Sequence, residues 1–227
     1  MRRLRVLLAI ALGAGAGQLA AQVEVSFPTP DGGVVYADLY GRGEHAVVLA
    51  HGGRFTRGSW APQARVLADS GFRVLAIDFR GRGRSRGGPV TDSSDMGERF
   101  DVMGAVQYLH LAGAARVSVV GASFGGGAAA EAAIALSAGE IERLVLLAHT
   151  PVAHPERLPG RKLFIVARGD TTASGVPRLV AIRRQYEAAP PPRELLVLEG
   201  TAHAQFLFDT PEGPRLLREI LRFLRAP

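Results

Sequence analysis

The chain has 227 residues, 47% of them hydrophobic and 21% charged, with 28 glycines, 14 prolines and no cysteine. This is the composition of a globular domain with one buried core, and it excludes collagen, coiled coil, extended disorder and a multi-pass membrane protein. Although the formal charge is +6, 26 of the 27 basic residues are arginine, and most stand among neighbouring acids. That scatter argues against a nucleic-acid partner, whose phosphate backbone calls for a clustered basic tract.

The chain opens with a basic Met1-Arg2-Arg3-Leu4-Arg5, an apolar small-residue run from Val6 to Gly17, and a small-residue cleavage site at Leu19-Ala20-Ala21-Gln22. The three parts in that order predict a signal peptide over residues 1–21, and hence an exported protein, periplasmic or secreted. The apolar run is shorter than the ~20 residues of a spanning helix, so no stable membrane insertion is expected after cleavage. Loss of Arg2, Arg3 and Arg5 leaves a mature charge of +3 on residues 22–227.

From Val23 onward, short β-branched runs alternate with longer stretches of helical period, the pattern of an α/β domain with a mostly parallel sheet. Val23 to Phe27 and Val34 to Tyr40 read as a hairpin across Pro30-Asp31-Gly32-Gly33. Strands follow at 46–50, 73–77, 116–120, 144–148, 163–167 and 195–198. Helices are predicted at 61–70, 96–111, 126–136, 178–188 and 214–224. About eight strands result, and the parallel ones are continuous apolar runs, as in strands covered on both faces.

Gly121-Ala122-Ser123-Phe124-Gly125 follows the run Val117-Ser118-Val119-Val120 and opens an Ala-rich helix. This G-x-S-x-G between strand and helix is the pattern of a nucleophile elbow, in which a strained turn exposes a serine hydroxyl above the sheet. Such a hydroxyl needs a base, and the base needs an orienting acid. Asp170 stands just after the strand 163–167, and His203 just after the strand 195–198. Three separated polar residues thus lie beyond the C-terminal ends of three strands, the edge where α/β sheets place their sites.

In that chain order, Ser then Asp then His, the sequence resembles the α/β-hydrolase superfamily over essentially the whole mature chain. His51-Gly52-Gly53-Arg54-Phe55 is similar to the family's H-G loop, and Asp78-Phe79-Arg80-Gly81-Arg82-Gly83-Arg84-Ser85 to its D-x-R-G-x-G-x-S segment. The resemblance implies an α/β-hydrolase fold with helices on both faces of the sheet and a serine hydrolase acting on small-molecule carboxylic esters. Ser123 would be the nucleophile, His203 the base and Asp170 its orienting acid, with the backbone N–H groups of Gly53 and Phe124 as oxyanion donors. No cofactor or metal is required. Thioester, lactone, peptide and peracid chemistry, or a non-catalytic ligand-binding role in the same crevice, are alternatives that fold analogy leaves open.

Only fourteen residues, 149–162, separate two strands where many relatives insert a cap. No cap domain is therefore expected, and the site should be open and suited to short or projecting acyl groups. Phe55, Phe124, Trp60 and Phe206 are candidate apolar lining, and Arg54, Phe55 and Arg84 candidate substrate contacts. Arg80, Arg82, Arg84 and Arg86 either draw an anionic substrate or pack against acids. His51 reads as a structural member of its turn, and Asp78 as a brace for the loop that holds it. His45, His110, His149 and His154 read as surface or satisfied histidines, and Glu199 and Asp209 as weaker substitutes for Asp170. No cluster has convincing metal spacing.

Overall fold

The computed structural model describes residues 22–89 and 97–226. The expected signal peptide, and Met96 as the expected first residue of the second helix, lie outside these. An antiparallel hairpin of β1 (Val23–Pro28) and β2 (Val34–Tyr40) begins the domain. It is followed by β3 (His45–Ala50), α1 (Ala61–Asp69), β4 (Arg73–Ile77) and α2 (Glu98–Leu111). Next come β5 (Arg116–Ala122), α3 (Phe124–Ala135), β6 (Arg143–Leu147) and β7 (Arg161–Ala167). The chain ends with α4 (Arg178–Ala188), β8 (Arg193–Leu198) and α5 (Gly213–Arg225). The eight strands form one sheet in the order β1-β2-β4-β3-β5-β6-β7-β8. β2 pairs antiparallel with β1 and β4, and every other pairing is parallel.

Every residue of β3 and β6 is buried, as is every residue of β5 after Arg116. Successive strand side chains point to opposite faces, so unbroken burial requires helices on both. On α5 the buried residues Leu216, Ile220, Phe223 and Leu224 recur at the spacing of one helical stripe. Its terminal carbonyls would otherwise lack partners. Arg143, buried at the start of β6, supplies them by donating to Phe223 O at 2.8 Å and Ala226 O at 2.6 Å.

α3 starts at Phe124, two residues before the expected Gly126, so the glycine run Gly125-Gly126-Gly127 lies inside it. Glycine is a poor helix former, but close packing outweighs propensity here. A Cβ on Gly125 would lie 2.4 Å from His51 O, so only glycine lets the helix approach the end of β3. Short 3₁₀ helices at Arg57–Trp60, Pro155–Arg157 and Ala204–Asp209 were not expected either. They are too short to leave a periodic signature. Between β6 and β7, where every residue is described, the only helical element is the single turn Pro155–Arg157, so this connection holds no cap.

Candidate active site

Ser123 sits between the last residue of β5 and the first of α3, with φ 51° and ψ −117°. A non-glycine residue at positive φ is strained, and its neighbours must hold it there. Ser123 N–H donates to Leu147 O at 2.8 Å, and Thr150 N–H donates to Ser123 O at 3.0 Å. Gly121 admits the crossing, since a Cβ there would meet Gly125 O at 2.6 Å. Two more strained residues flank the same edge, Ala148 after β6 (φ 43°) and Ala204 after His203 (φ 49°).

The structure brings Ser123, His203 and Asp170 into one hydrogen-bonded chain. Ser123 Oγ is 2.7 Å from His203 Nε2, and His203 Nδ1 is 2.7 Å from Asp170 Oδ2. With Nδ1–H donating to the carboxylate, Nε2 is left as the acceptor for the serine proton. Asp170 is buried, whereas the His203 side chain is 27% exposed. Arg178, which belongs to no sequence motif, stands 3.5 Å from Asp170 Oδ1 and donates its backbone N–H to Asp170 O at 2.9 Å. It places a cation beside the acid without competing for the oxygen that His203 uses. Glu199 pairs with Arg168 at the surface, away from His203.

The His51-Gly52-Gly53 turn is held from three sides. His51 donates Nδ1–H to Gly52 O at 2.8 Å and accepts Phe79 N–H at Nε2, so both ring nitrogens are occupied. Burial pushes the His51 pKa down, keeping the ring neutral. Gln205 Oε1 accepts Gly52 N–H at 2.7 Å, and its Nε2 donates to Ser59 Oγ at 2.9 Å. Arg82 caps Gly53 O. The N–H groups of Gly53, Arg54 and Phe124 have no acceptor among the described residues. A Cβ built on Gly53 would lie 3.8 Å from that of Phe124, so the turn and the start of α3 converge. Gln205 escaped sequence reasoning because its partners lie 153 and 146 residues away.

Ser123 and His203 open into a cavity of about 230 Å³, lined also by Gly53, Arg54, Phe55, Phe124 and Phe206. Across Phe124 lies a second hollow of about 200 Å³, with Glu131, Thr150 and Val152 in its wall. Trp60, expected as lining, is instead buried in the core against Phe208. Arg84, expected at the substrate, pairs with Glu24 and stacks over the Tyr36 ring at 4.1 Å. Arg80 is clamped between Asp31 and Asp101, both at 2.8 Å. Burial opposes ionisation of Asp31, but its Arg80 and Thr29 hydrogen bonds outweigh that and hold its pKa at about 2. Asp78 accepts Arg57 N–H at 2.8 Å and acts on the His51 ring through its charge, while the hydrogen bond to His51 Nε2 comes from Phe79 N–H. Both ring nitrogens of His149 are buried and lack a hydrogen bond of good geometry, with the Gln185 side chain as their polar neighbour. Burial lowers the His149 pKa to about 4. Among the described residues, no group of three or more His, Asp or Glu could hold a metal ion.

The family model described as alpha/beta hydrolase fold matches residues 45–184. A non-heme chloroperoxidase from Streptomyces lividans is 28% identical over 187 residues, covering 82% of this chain and 58% of that protein. A bifunctional esterase/perhydrolase from Acinetobacter calcoaceticus is 32% identical over 139 residues, covering 58% of this chain and 49% of its own length. The chain therefore spans about half the length of these relatives. An esterase structure from Pyrococcus furiosus superposes with a TM-score of 0.74 at 18% identity, covering 91% of this chain and 92% of that one.

Proposed function

This chain belongs to the α/β-hydrolase fold family, and from that premise we propose that it is an exported serine hydrolase that cleaves carboxylic esters through a covalent acyl-enzyme. The observation that carries the reading is the chain Ser123–His203–Asp170, with both hydrogen bonds at 2.7 Å, on a strained elbow beside unpaired N–H groups. In the first half-reaction Ser123 Oγ attacks the acyl carbon while its proton passes to His203 Nε2. Asp170 stabilises the imidazolium and fixes its orientation. The carbonyl oxygen becomes an oxyanion, accepted by the N–H groups of Gly53 and Phe124. Collapse of the tetrahedral species breaks the acyl–oxygen bond, and His203 returns the proton to the departing alcohol. A water then repeats the attack and frees the acid and Ser123.

The small open cavity and the absence of a cap favour short acyl chains without interfacial activation. The relative named esterase/perhydrolase supports a second acceptor for the same intermediate, hydrogen peroxide in place of water, which would release a peracid. Labelling with a fluorophosphonate, with Ser123→Ala as control, tests the reading together with a panel of short esters and thioesters. Labelling and turnover that vanish in the variant are expected. Binding of an ester without either would leave a non-catalytic role in the crevice.

A further inference from the structure

Five arginines of the segments 54–57 and 80–84 fall into two groups. Arg57, Arg80 and Arg84 are neutralised by carboxylates, Arg57 by Glu24, Asp38 and Asp78, Arg80 by Asp31 and Asp101, and Arg84 by Glu24. Arg54 and Arg82 are not. Exposed Arg54 lines the cavity that holds Ser123 and His203, and it has no partner among the described residues. Arg82 lies on Gly53 O, a carbonyl that orients the guanidinium, and it has no carboxylate partner among the described residues. The remaining lining is glycine, alanine and aromatic apart from the two catalytic candidates, and no carboxylate belongs to it. Asp170 is buried behind His203.

We propose that the substrate is an ester whose acyl part ends in a carboxylate, such as the half-ester of a short dicarboxylic acid, and that Arg54 is the group that receives this carboxylate. The proposal rests on the hydrolase reading above. A guanidinium offers a planar fork of donors matched to a carboxylate, and the second cation at Gly53 raises the local positive potential. A cavity of about 230 Å³ is below the range of drug-sized sites, so the part of an acyl chain held inside it is short. Its far end therefore lies close to the reacting carbon and to the lining arginine.

Methanol release from monomethyl succinate and from neutral dimethyl succinate tests this, with fluorophosphonate labelling of Ser123 run in parallel. The wild-type chain should favour the half-ester by about tenfold or more in kcat/KM, and the preference should shrink as salt rises. Arg54→Gln should lower kcat/KM for the half-ester by about tenfold and for the diester by less than about twofold. Arg54→Glu should reverse the preference. Equal turnover of both esters, with Arg54→Gln affecting them alike, would overturn the anionic assignment and leave the hydrolase reading intact. If neither ester is cleaved and Ser123 is not labelled, the hydrolase reading fails and takes this assignment with it.

Discussion

Strand β5 carries a serine–histidine pair at each of its ends, and the two pairs have almost the same hydrogen bond. At the start of the strand, His45 Nε2 lies 2.8 Å from Ser118 Oγ. Just past its end, His203 Nε2 lies 2.7 Å from Ser123 Oγ. Everything around the bond differs. The His45–Ser118 pair is buried, Ser118 lies in regular strand, and among the described residues no carboxylate bonds to the other ring nitrogen. The His203–Ser123 pair has Asp170 on Nδ1, a strained backbone under the serine, unpaired N–H groups beside it and a route to solvent. The comparison teaches that a short Ser–His contact is packing unless strain, an orienting acid and preorganised donors accompany it.

The comparison breaks most sharply at Ser123. Ser123→Ala should reduce kcat on a short ester by about 10⁴-fold or more, and Asp170→Asn, which disturbs the orientation and tautomer of His203, by about 10³–10⁴-fold. Stopped-flow or steady-state kinetics on the purified variants, with circular dichroism to confirm folding, measures both. An Asp170→Asn variant within tenfold of wild type would mean that His203 takes its orientation from elsewhere.

The inner pair should reveal itself through acid stability instead of catalysis. Burial, reinforced by the Arg116 cation, lowers the His45 pKa to about 4, and Glu142 only partly opposes this. The unfolded chain takes up the proton near pH 6.5 and the folded one near 4, so stability is lost as pH falls through that window. The loss attributable to His45 is at most about 3 kcal/mol. Denaturant titrations at pH 7 and pH 4.5 should show a smaller pH difference in His45→Gln than in wild type.

Gln205 sharpens the outer pair. Its Oε1 fixes the Gly52 peptide, and through it the direction of Gly53 N–H, from the segment just after His203. Gln205→Leu should keep volume but loosen that donor, lowering kcat by about 10–100-fold with little change in KM. Active-site titration with a fluorophosphonate distinguishes this from misfolding, because the labelled fraction should remain full while turnover per labelled site falls.

These expectations also mark what a sequence can and cannot disclose. Strand runs, the elbow pattern and the order Ser123, Asp170, His203 are local or ordinal signals, and the observed strands and hydrogen-bonded chain lie where those signals pointed. α3 starts earlier than its sequence predicts: a glycine run lowers propensity, while the fit of Gly125 against His51 O is a tertiary fact. Arg84 and Trp60 lie away from their expected places for a related reason. Their sequence neighbours are near the site, but Glu24, Tyr36 and Phe208, which hold them, come from distant parts of the chain. Gln205 and Arg178 had no pattern to belong to, because their partners are met only after folding.

The smallest effect is expected at Ser118, and it is the most direct test of the comparison. Ser118 and Ser123 are five residues apart along an extended segment, or roughly 16 Å at ~3.3 Å per residue. Ser118→Ala removes the one side-chain hydrogen bond that the His45 ring makes among the described residues and leaves a buried nitrogen unpaired. Thermal or urea unfolding should register a loss of about 1–3 kcal/mol. Ester turnover and fluorophosphonate labelling should stay within about twofold of wild type, because a bond buried at the closed end of the sheet has no path to the acyl carbon. A large catalytic loss with unchanged stability would instead show that the two ends of β5 are coupled, and that burial alone does not separate a structural Ser–His pair from a reactive one.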